Sequence, residues 1–379
     1  MSQIKLRAMQ IGIFFLRLIY FFLKLLPVQN KYLFLSKLSY KTPLDFLLLS
    51  DALVKRDPSC KVVILCQPID DKFKYVFHIF RQMYHMATSK AVFLERSCLA
   101  VHVLNHRKTL QVIQLWHALG SMKKFGYAIL DTKEGQPHQL AEVLKMHRGY
   151  TAILISSFSF LDDYLEGFNI DGSTVVEIPL PRADLLVNSE YRMQKRKELI
   201  NEMPALGQKK NILYCPTFRK KKSPSTQKKI MELIEQIDFD THNFIYSPHP
   251  VSKVRIDDSR IMQFKRSSQE LLFIADYVIS DYSSIIYEAG LMGLHTYLYA
   301  YDWAEYHQSR LHNIELTEDV PLLFTSNSDL IVAAIEHDDF DFTEFKKFIS
   351  NSVKMPKDKT CCEAIVDFVF EAGKNKKPL

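Results

Sequence analysis

Two histidines each stand at the end of an apolar run. His117 directly follows QVIQLW, with Lys123 and Lys124 shortly after it, and His249 lies between two prolines. Proline fixes its own φ and restricts the residue before it, so His249 is rigidly placed. An imidazole with a pKa near 6.5 accepts a proton when neutral and pairs with phosphate when charged. The alternative for His117 is a hydrogen-bonded packing role.

The segment ISDYSSIIYEAG reads as a strand that continues into a helix. Asp281 or Ser283 can cap this helix, and Ser283 and Ser284 then offer hydroxyl and N–H groups to an anion. Glu288 lies two turns after Asp281, where its carboxylate could accept hydrogen bonds from ribose hydroxyls. The alternative is plain helix capping.

A third polar segment, YCPTFRK, follows another apolar run. Pro216 precedes Thr217 and Arg219, which supply a hydroxyl and a planar guanidinium suited to phosphate. The basic run over 219–229 predicts a mobile loop, either solvated or near the substrate. Because the chain contains neither GxGxxG nor a Walker A loop, phosphate would be held by groups of this kind.

The elements that must position these residues are short apolar runs alternating with helical patterns. Buried parallel strands are predicted over 61–66, 109–116, 151–156 and 175–178, and again over 211–216, 243–248, 276–280 and 296–300. This pattern predicts two α/β sheets with a break near 190–208 and a cleft between two Rossmann-like halves. Ligands of such sheets bind beyond the carboxyl ends of the strands.

The first 28 residues are apolar but carry a regular polar stripe. The stripe recurs every seven residues and consists of Gln3, Gln10, Arg17 and Lys24. This spacing predicts an amphipathic helix that lies on a membrane; a buried core helix and a transmembrane segment are the alternatives. All 5 formal charges through Lys31 are positive, which favours anionic lipid on the cytoplasmic side.

The composition limits the class of protein. A chain of 379 residues with 47% hydrophobic residues suits two globular domains, and its modest net charge of +6 predicts no nucleic-acid partner. The six cysteines form no CxxC pair and no His/Cys ligand spacing, so neither a zinc site nor a disulfide framework is indicated. A reducing cytosol fits this pattern.

Taken together, WHALGSMKKFG, CPTFR, SPHP and SDYSSIIYEAG resemble the CDP-glycerol glycerophosphotransferase family, which makes teichoic acids and related polymers. The resemblance extends to KYLFLS, MHRGYTAILISS, PRADLL and YAYDWAEYHQSR. It implies an α/β, GT-B-like pair of Rossmann-type lobes with a cleft between them and an N-terminal amphipathic membrane helix. The implied domains are the helix over 1–28, an acceptor lobe over 29–204, and a donor lobe with C-terminal helices over 205–379.

The resemblance also implies roles for particular residues. The family's two functional histidines correspond to His117 and His249. The implied substrate-binding residues are Lys123, Lys124, Pro216, Thr217, Arg219, Asp281, Ser283, Ser284 and Glu288. Neither a metal nor another cofactor is implied.

The implied reaction transfers glycerol phosphate or ribitol phosphate from a CDP-polyol to a lipid-linked, undecaprenyl-type acceptor and releases CMP. We expect His117 to be the general base and His249 to contact the donor pyrophosphate; the reverse assignment stays open. The short chain favours addition of one or a few units, at the cytoplasmic face of an anionic membrane. The alternatives are a GT-B glycosyltransferase, a sugar-nucleotide epimerase, or a non-catalytic membrane-bound assembly protein.

Overall fold

The computed structural model describes residues 2–219, 224–249, 252 and 254–375, which form two compact units. The first unit comprises residues 1–119, 124–184 and 354–379, and the second comprises 120–123 and 185–353. Each unit is built on its own six-stranded parallel sheet. The prediction of an α/β fold with two parallel sheets is therefore confirmed.

The first sheet is parallel throughout. Its strands are β1 (Lys31–Ser36), β2 (Lys61–Cys66), β3 (Ala91–Leu94), β4 (Gln111–Gln114), β5 (Ala152–Ile155) and β6 (Val175–Glu177). They lie in the order β2-β1-β3-β4-β5-β6, so the direction of strand addition reverses between β1 and β3. The residues of β1, β3, β4 and β5 are all buried, which explains why β3 and β5 are continuous apolar runs.

Helices cover the first sheet. They are α1 (Gln3–Leu23), α2 (Leu44–Arg56), α3 (Lys72–Ala87), α4 (Leu99–Val103), α5 (His138–Val143) and α6 (Leu161–Phe168), with α16 (Cys361–Asn375) from the carboxyl end of the chain. The chain passes to the second unit within α7 (Ala183–Val187). One core of this unit packs buried α3 residues such as Met83 and Met86 against Leu33 and Val92 of the sheet.

The second sheet has the strand order of a dinucleotide-binding fold. Its strands are β7 (Lys210–Tyr214), β8 (His242–Tyr246), β9 (Ile261–Met262), β10 (Tyr277–Ser280), β11 (His295–Tyr299) and β12 (Phe324–Thr325). The order β9-β8-β7-β10-β11-β12 corresponds to 3-2-1-4-5-6, with the reversal between β7 and β10. Each of the eight predicted strand segments overlaps an observed strand.

In the described part of the second unit there are eight α-helices. They are α8 (Ser189–Glu202), α9 (Pro224–Glu235), α10 (Ser268–Leu271), α11 (Ile285–Leu291), α12 (Trp303–Ser309), α13 (Leu316–Asp319), α14 (Ser328–Glu336) and α15 (Phe342–Ser352). The basic run predicted to be a loop therefore becomes helical from Pro224, a residue that favours the first turn of a helix. Residues 220–223 of that run lie outside the described residues.

The predicted domain boundary at 204/205 was wrong, because the chain passes between units at 184/185. The polar helix α8 belongs to the second unit: Arg192 Nη2 donates to Met292 O at 2.6 Å, and Arg196 Nη2 pairs with Asp276 at 3.1 Å. Few residues of α8 are apolar, so its sequence is similar to that of a linker. In the structure, however, its arginines bind a backbone carbonyl and a carboxylate of the second unit.

The carboxyl-terminal segment was also assigned to the wrong domain. It returns to the first unit, where Lys354 N donates to Ser156 O at 2.7 Å and Cys361 N donates to Asp184 Oδ1 at 2.7 Å. Farther along α16, Val369 O accepts a hydrogen bond from Gln111 Nε2 at 2.8 Å. These long-range contacts leave no local signal in the sequence.

A narrow stripe of side chains on helix α1 packs against the rest of the first unit. Leu6, Ile13 and Tyr20 are buried at the seven-residue spacing, and Arg17 Nε donates to Val103 O at 2.6 Å. Lys24 Nζ donates to Asn105 O at 2.9 Å. The helix is long and apolar enough to cross a bilayer, but only by length and composition. Because most of its apolar side chains are exposed, the buried-core alternative does not fit.

Two buried histidines give the first unit a pH-dependent stability. His102 Nδ1 donates to Arg148 O at 3.0 Å, and His102 Nε2 accepts from Cys98 N at 3.2 Å. Burial lowers the pKa of His102 to about 4 and that of His147 to about 3. Both rings are therefore neutral in the folded chain at pH values where an unfolded histidine is protonated.

We expect the free energy of unfolding to fall as the pH drops from about 6.5 to about 4, because the unfolded chain then binds protons that the folded chain does not. Each histidine contributes at most about 1.4 kcal/mol per pH unit. Urea unfolding at several pH values measures this slope. His102→Asn should make it shallower, whereas the exposed-site control His138→Asn should not; parallel profiles for wild type and His102→Asn would contradict the account.

Candidate functional site

The candidate site of the second unit is organised by a buried carboxylate. Asp281 follows β10 directly, is 0% exposed, and accepts hydrogen bonds from Thr217 N at 2.9 Å, Thr217 Oγ1 at 2.5 Å and Arg219 Nη2 at 2.8 Å. Thr217 and Arg219 follow β7, the strand paired with β10. Asp281 therefore joins two strand ends at the point where the strand order reverses, which is where ligands bind in such sheets.

Of the two residues predicted to cap the following helix, Ser283 makes a cap-like contact and Asp281 does not. Helix α11 begins at Ile285, and the Ser283 Oγ accepts a hydrogen bond from Ile285 N at 3.4 Å. The prediction that Asp281 caps this helix was wrong. The Asp281 carboxylate points instead to the segment after β7. A cap pattern in the sequence could not reveal this, because Thr217 lies 64 residues away.

Arg219 is held between two carboxylates. Its Nη2 donates to both Asp281 and Asp302 at 2.8 Å, its Nε donates to Asp302 at 2.6 Å, and its Nη1 donates to Thr217 O at 2.7 Å. The guanidinium also lies over the rings of Tyr282 and Tyr306, at 5.0 and 4.9 Å from their centroids. Most of its donors are therefore directed at protein groups.

Asp302 is a site residue that sequence reasoning missed. It follows β11, the next strand along the sheet, and also accepts a hydrogen bond from Tyr282 Oη at 2.9 Å. The available signal was its position just after the predicted strand over 296–300, where polar residues of α/β proteins gather. Its partner Arg219 lies 83 residues earlier.

The other predicted substrate-binding residues of this unit are close to Asp281 or Thr217 in the chain. Ser283 and Ser284 are partly exposed, and Pro216 is partly exposed beside Thr217. Glu288 is 2% exposed, and its Oε1 accepts a hydrogen bond from Gln269 Nε2 at 3.4 Å. The serine hydroxyls are thus accessible, whereas the Glu288 carboxylate is enclosed by the protein.

His249 follows β8, which pairs with β7 on the side away from β10. Its side chain is exposed, its ring centroid lies 5.8 Å from that of Phe218, and its carbonyl accepts a hydrogen bond from Ser252 N at 2.7 Å. The predicted residues Asp281, Thr217 and His249 therefore follow three neighbouring strands of one sheet. Pro250, the second predicted proline, lies outside the described residues.

His117 belongs to the first unit and follows β4. The preceding Trp116 has a φ of 70°, a left-handed conformation that bulky residues rarely adopt, and its N–H donates to Gln114 Oε1 at 3.0 Å. The Trp116 ring packs against Phe125 and His117, with centroids 4.5 and 4.4 Å away. Backbone strain of this kind is concentrated at functional sites.

The His117 imidazole is held in its neutral form. Burial, followed by the positive charges of Arg96 and Arg182, lowers its pKa to about 3, while a hydrogen bond with the backbone of Glu95 acts in the opposite direction. Nδ1 is buried and has no hydrogen-bond partner in the described part of the chain. Arg182 Nη2 also donates to His117 O at 2.9 Å, which fixes the backbone.

The two predicted lysines belong to different units. Lys124 of the first unit pairs with Glu166 at 2.8 Å, so its charge is already balanced. Lys123 of the second unit lies over the Tyr306 ring, at 5.4 Å from its centroid. Within the described ranges, no cluster of three or more His, Cys, Asp and Glu side chains could hold a metal ion.

Comparisons with known proteins agree with one another. The sequence profile of the CDP-glycerol:poly(glycerophosphate) glycerophosphotransferase family matches residues 18–371. The chain is 26% identical over 329 residues to a teichoic acid ribitol-phosphate primase of Bacillus spizizenii, covering 83% of this chain and 85% of the primase. It is 28% identical over 345 residues to a teichoic acid poly(ribitol-phosphate) polymerase of the same species, covering 86% of this chain. The chain spans about half (54%) of that polymerase's length.

Among solved structures, the chain resembles a variant of the wall teichoic acid polymerase TagF soaked with CDPG. The TM-score is 0.72 at 16% sequence identity, and the match covers 92% of this chain and 90% of that chain. At this identity the likeness shows the fold alone.

The Arg219–Asp302 pair should stabilise the second unit. We expect Asp302→Asn to lower its free energy of unfolding by about 1–3 kcal/mol, because a largely buried guanidinium loses a charged partner. Urea unfolding measures the change. Lys347→Gln, which removes an exposed pair with Glu344 in the same unit, should cost less than about 1 kcal/mol. Equal effects of the two substitutions would contradict this assignment.

Proposed function

This chain belongs to the CDP-glycerol:poly(glycerophosphate) glycerophosphotransferase family, and on that premise we propose that it transfers glycerol phosphate or ribitol phosphate from a CDP-polyol to a lipid-linked acceptor of the undecaprenyl type. The product belongs to teichoic acid or related cell-surface polymer synthesis, and CMP is released. The observation that carries the proposal is the row of Asp281, Thr217 and His249 along three neighbouring strand ends of the second unit. The CDPG-soaked TagF variant, which shares this fold, supports the choice of donor.

In this proposal the second unit binds the donor. Thr217 and Arg219 direct their donors at Asp281 and Asp302, so they act as positioning residues rather than as the main phosphate ligands. The hydroxyls of Ser283 and Ser284 and the exposed imidazole of His249 are then the groups that contact the pyrophosphate. Glu288, predicted to contact the ribose hydroxyls, is enclosed by the protein and bonded to Gln269, so we assign it a positioning role beneath the site. Hydrogen-bond donors held in fixed positions stabilise the negative charge that develops on CMP as it leaves.

The first unit supplies the base. An acceptor hydroxyl attacks the β-phosphorus of the CDP-polyol; the new O–P bond forms as the bond from that phosphorus to the bridging oxygen breaks, and CMP leaves with the electron pair. The hydroxyl proton passes to the neutral ring of His117. The hydrogen bond to the backbone of Glu95 orients the ring. Such transfers depend chiefly on alignment and charge stabilisation.

The two histidines should differ in kinetics. We expect His117→Ala to lower kcat by about 10²–10⁴-fold, the usual contribution of a general base, with little change in the Kd for CDP-glycerol. His249→Ala should weaken CDP-glycerol binding by about 10-fold or more, because a hydrogen bond to a charged group is lost. CMP release and calorimetric titration measure the two effects.

The exposed His138→Ala variant is the control and should match wild type. Normal turnover by a His117→Ala protein with a lowered melting temperature would show that the ring only packs. Turnover of UDP-sugars but not of CDP-polyols would favour the glycosyltransferase or epimerase alternative. A tight CDP-polyol complex without turnover on lipid-linked acceptors would favour a non-catalytic assembly protein.

We also propose that α1 attaches the protein to the cytoplasmic face of an anionic membrane as a monotopic, peripheral contact. The support is the wide exposed face of the helix, where Phe14, Phe15, Phe21 and Phe22 are each more than half exposed. Exposed side chains on α3, such as Phe77, extend the apolar surface of this unit. Burial of such a face in the acyl boundary is favourable, and nearby basic residues attract anionic lipid.

Replacing Phe14, Phe15, Phe21 and Phe22 together by serine should release the protein from vesicles that contain phosphatidylglycerol, as measured by flotation. These four side chains are not part of the buried stripe of α1, so the fold should remain intact by circular dichroism. Replacing Val187 and Met193, two exposed apolar residues of other helices, by serine is the control. Unchanged flotation of the four-phenylalanine variant would contradict the proposed attachment.

A further inference from the structure

A second strand-order reversal, in the first unit, carries two positive side chains. The reversal lies between β1 and β3, and Lys37 and Arg96 follow these two strands. The register pairs Leu35 with Leu94, so each cation stands two residues beyond a paired position. Because neighbouring strands are about 4.8 Å apart, the segments that carry the two cations leave the sheet side by side. Ligands of doubly wound sheets bind at such reversals.

The same edge leads directly to the proposed base. Strand β4 pairs with β3 on its other side, and Leu94 is opposite Gln114. Trp116 therefore stands at the equivalent of the Lys37 and Arg96 positions, and His117 is the next residue. The positive charge of Arg96 also acts on the His117 ring. Lys37, Arg96 and His117 thus follow three successive strands at one edge of one sheet.

The two cations are partly buried, and within the described part of the chain neither forms an ion pair with a carboxylate. Arg96 Nε is buried and has no hydrogen-bond partner in the described ranges, and Lys37 Nζ has only a 3.3 Å hydrogen bond to Ser97 Oγ. Arg182 in the same unit shows the contrast, because it forms an ion pair with Asp45. A poorly solvated cation without a carboxylate partner costs free energy that a bound anion would recover.

The acidic residue that precedes Arg96 in the chain is a weak counter-ion. Glu95 is 7% exposed, and its carboxyl accepts a hydrogen bond from Ser36 Oγ. Burial raises the pKa of Glu95, whereas burial lowers the pKa of Lys37 and that of Arg96. All three shifts reflect charges removed from water without full compensation.

We propose that Lys37 and Arg96 bind a phosphate group of the acceptor beside His117. This inference rests on the proposed function, in which the donor phosphates are bound by the second unit. The ligand class is a phosphate ester that also carries the hydroxyl to be phosphorylated. A guanidinium donates two parallel hydrogen bonds to phosphate, and an ammonium adds a point charge. Burial is the main cause of the lowered pKa of His117 and the charges of Arg96 and Arg182 add to it; a bound anion offsets the second contribution and so strengthens the base.

Inorganic phosphate tests the site without any assumption about turnover. The chain has two tryptophans, so Trp303→Phe leaves Trp116, the neighbour of His117, as the single fluorescence reporter in the full-length protein. We expect phosphate to change its emission. Arg96→Gln and Lys37→Gln should each weaken the phosphate Kd by about 10-fold to 100-fold at constant ionic strength, because a hydrogen bond to a charged group is lost.

Two further variants separate charge from folding. Lys41→Gln, which removes an exposed lysine from the segment after β1, should leave the phosphate Kd unchanged. Arg96→Lys retains the charge and should recover part of the affinity lost in Arg96→Gln at a similar melting temperature. Equal phosphate affinities in wild type, Arg96→Gln and Lys37→Gln would overturn the proposal.

The transfer assay then identifies the source of the phosphate. Arg96→Gln should raise the KM for the lipid-linked acceptor about 10-fold or more and leave the KM for the CDP-polyol unchanged. A rise in the CDP-polyol KM alone would overturn the assignment to the acceptor. A wild-type protein without any CDP-polyol turnover would refute the proposed function, while the phosphate titration would still decide whether the site exists.

Discussion

Asp281 is a fully buried carboxylate, and a buried charge is tolerated only when it is paired and hydrogen-bonded. Its donors are Thr217 N, Thr217 Oγ1, Arg219 Nη2 and Tyr282 N. These bonds fix the segment after β7 against the segment after β10. Through Arg219 the same network reaches Asp302 after β11. The accessible groups of the second unit, Ser283 and Ser284, follow Asp281 in the chain and depend on this arrangement.

At the strand-order reversal of the first unit, the charged side chains are not paired in this way. There the cations Lys37 and Arg96 lack carboxylate partners within the described part of the chain, and the imidazole of His117 is held neutral by burial and by nearby arginines. A satisfied network gives a rigid scaffold, whereas unsatisfied buried donors retain free energy for a ligand. The contrast explains why we assign a positioning role to Arg219 and a binding role to Arg96, although both are arginines at strand ends.

The sequence predicts eight of the strands because buried parallel strands are continuous apolar runs, as in AILI of β5, whereas β1, β3, β9 and β12 were not predicted. The sequence predicts poorly which side chains form hydrogen bonds with each other. Asp281 carries the pattern of a helix cap, but its hydrogen bonds reach Thr217, 64 residues away. The polar helix α8 resembles a linker, but Arg192 and Arg196 bond to the second unit. Asp302 follows a predicted strand, but the contacts of Asp302 and Arg96 arise only from the order in which the strands assemble.

The central claim is the transfer of a polyol phosphate to a lipid-linked acceptor. Mass spectrometry of the lipid products tests it most directly, with a lipid-linked disaccharide incubated with the purified protein and either CDP-glycerol or CDP-ribitol. The account predicts products heavier than the acceptor by one or more polyol phosphate units, with release of an equal number of CMP molecules. An acceptor that gains a sugar from a UDP-sugar, or that remains unmodified with both CDP-polyols, would contradict the account.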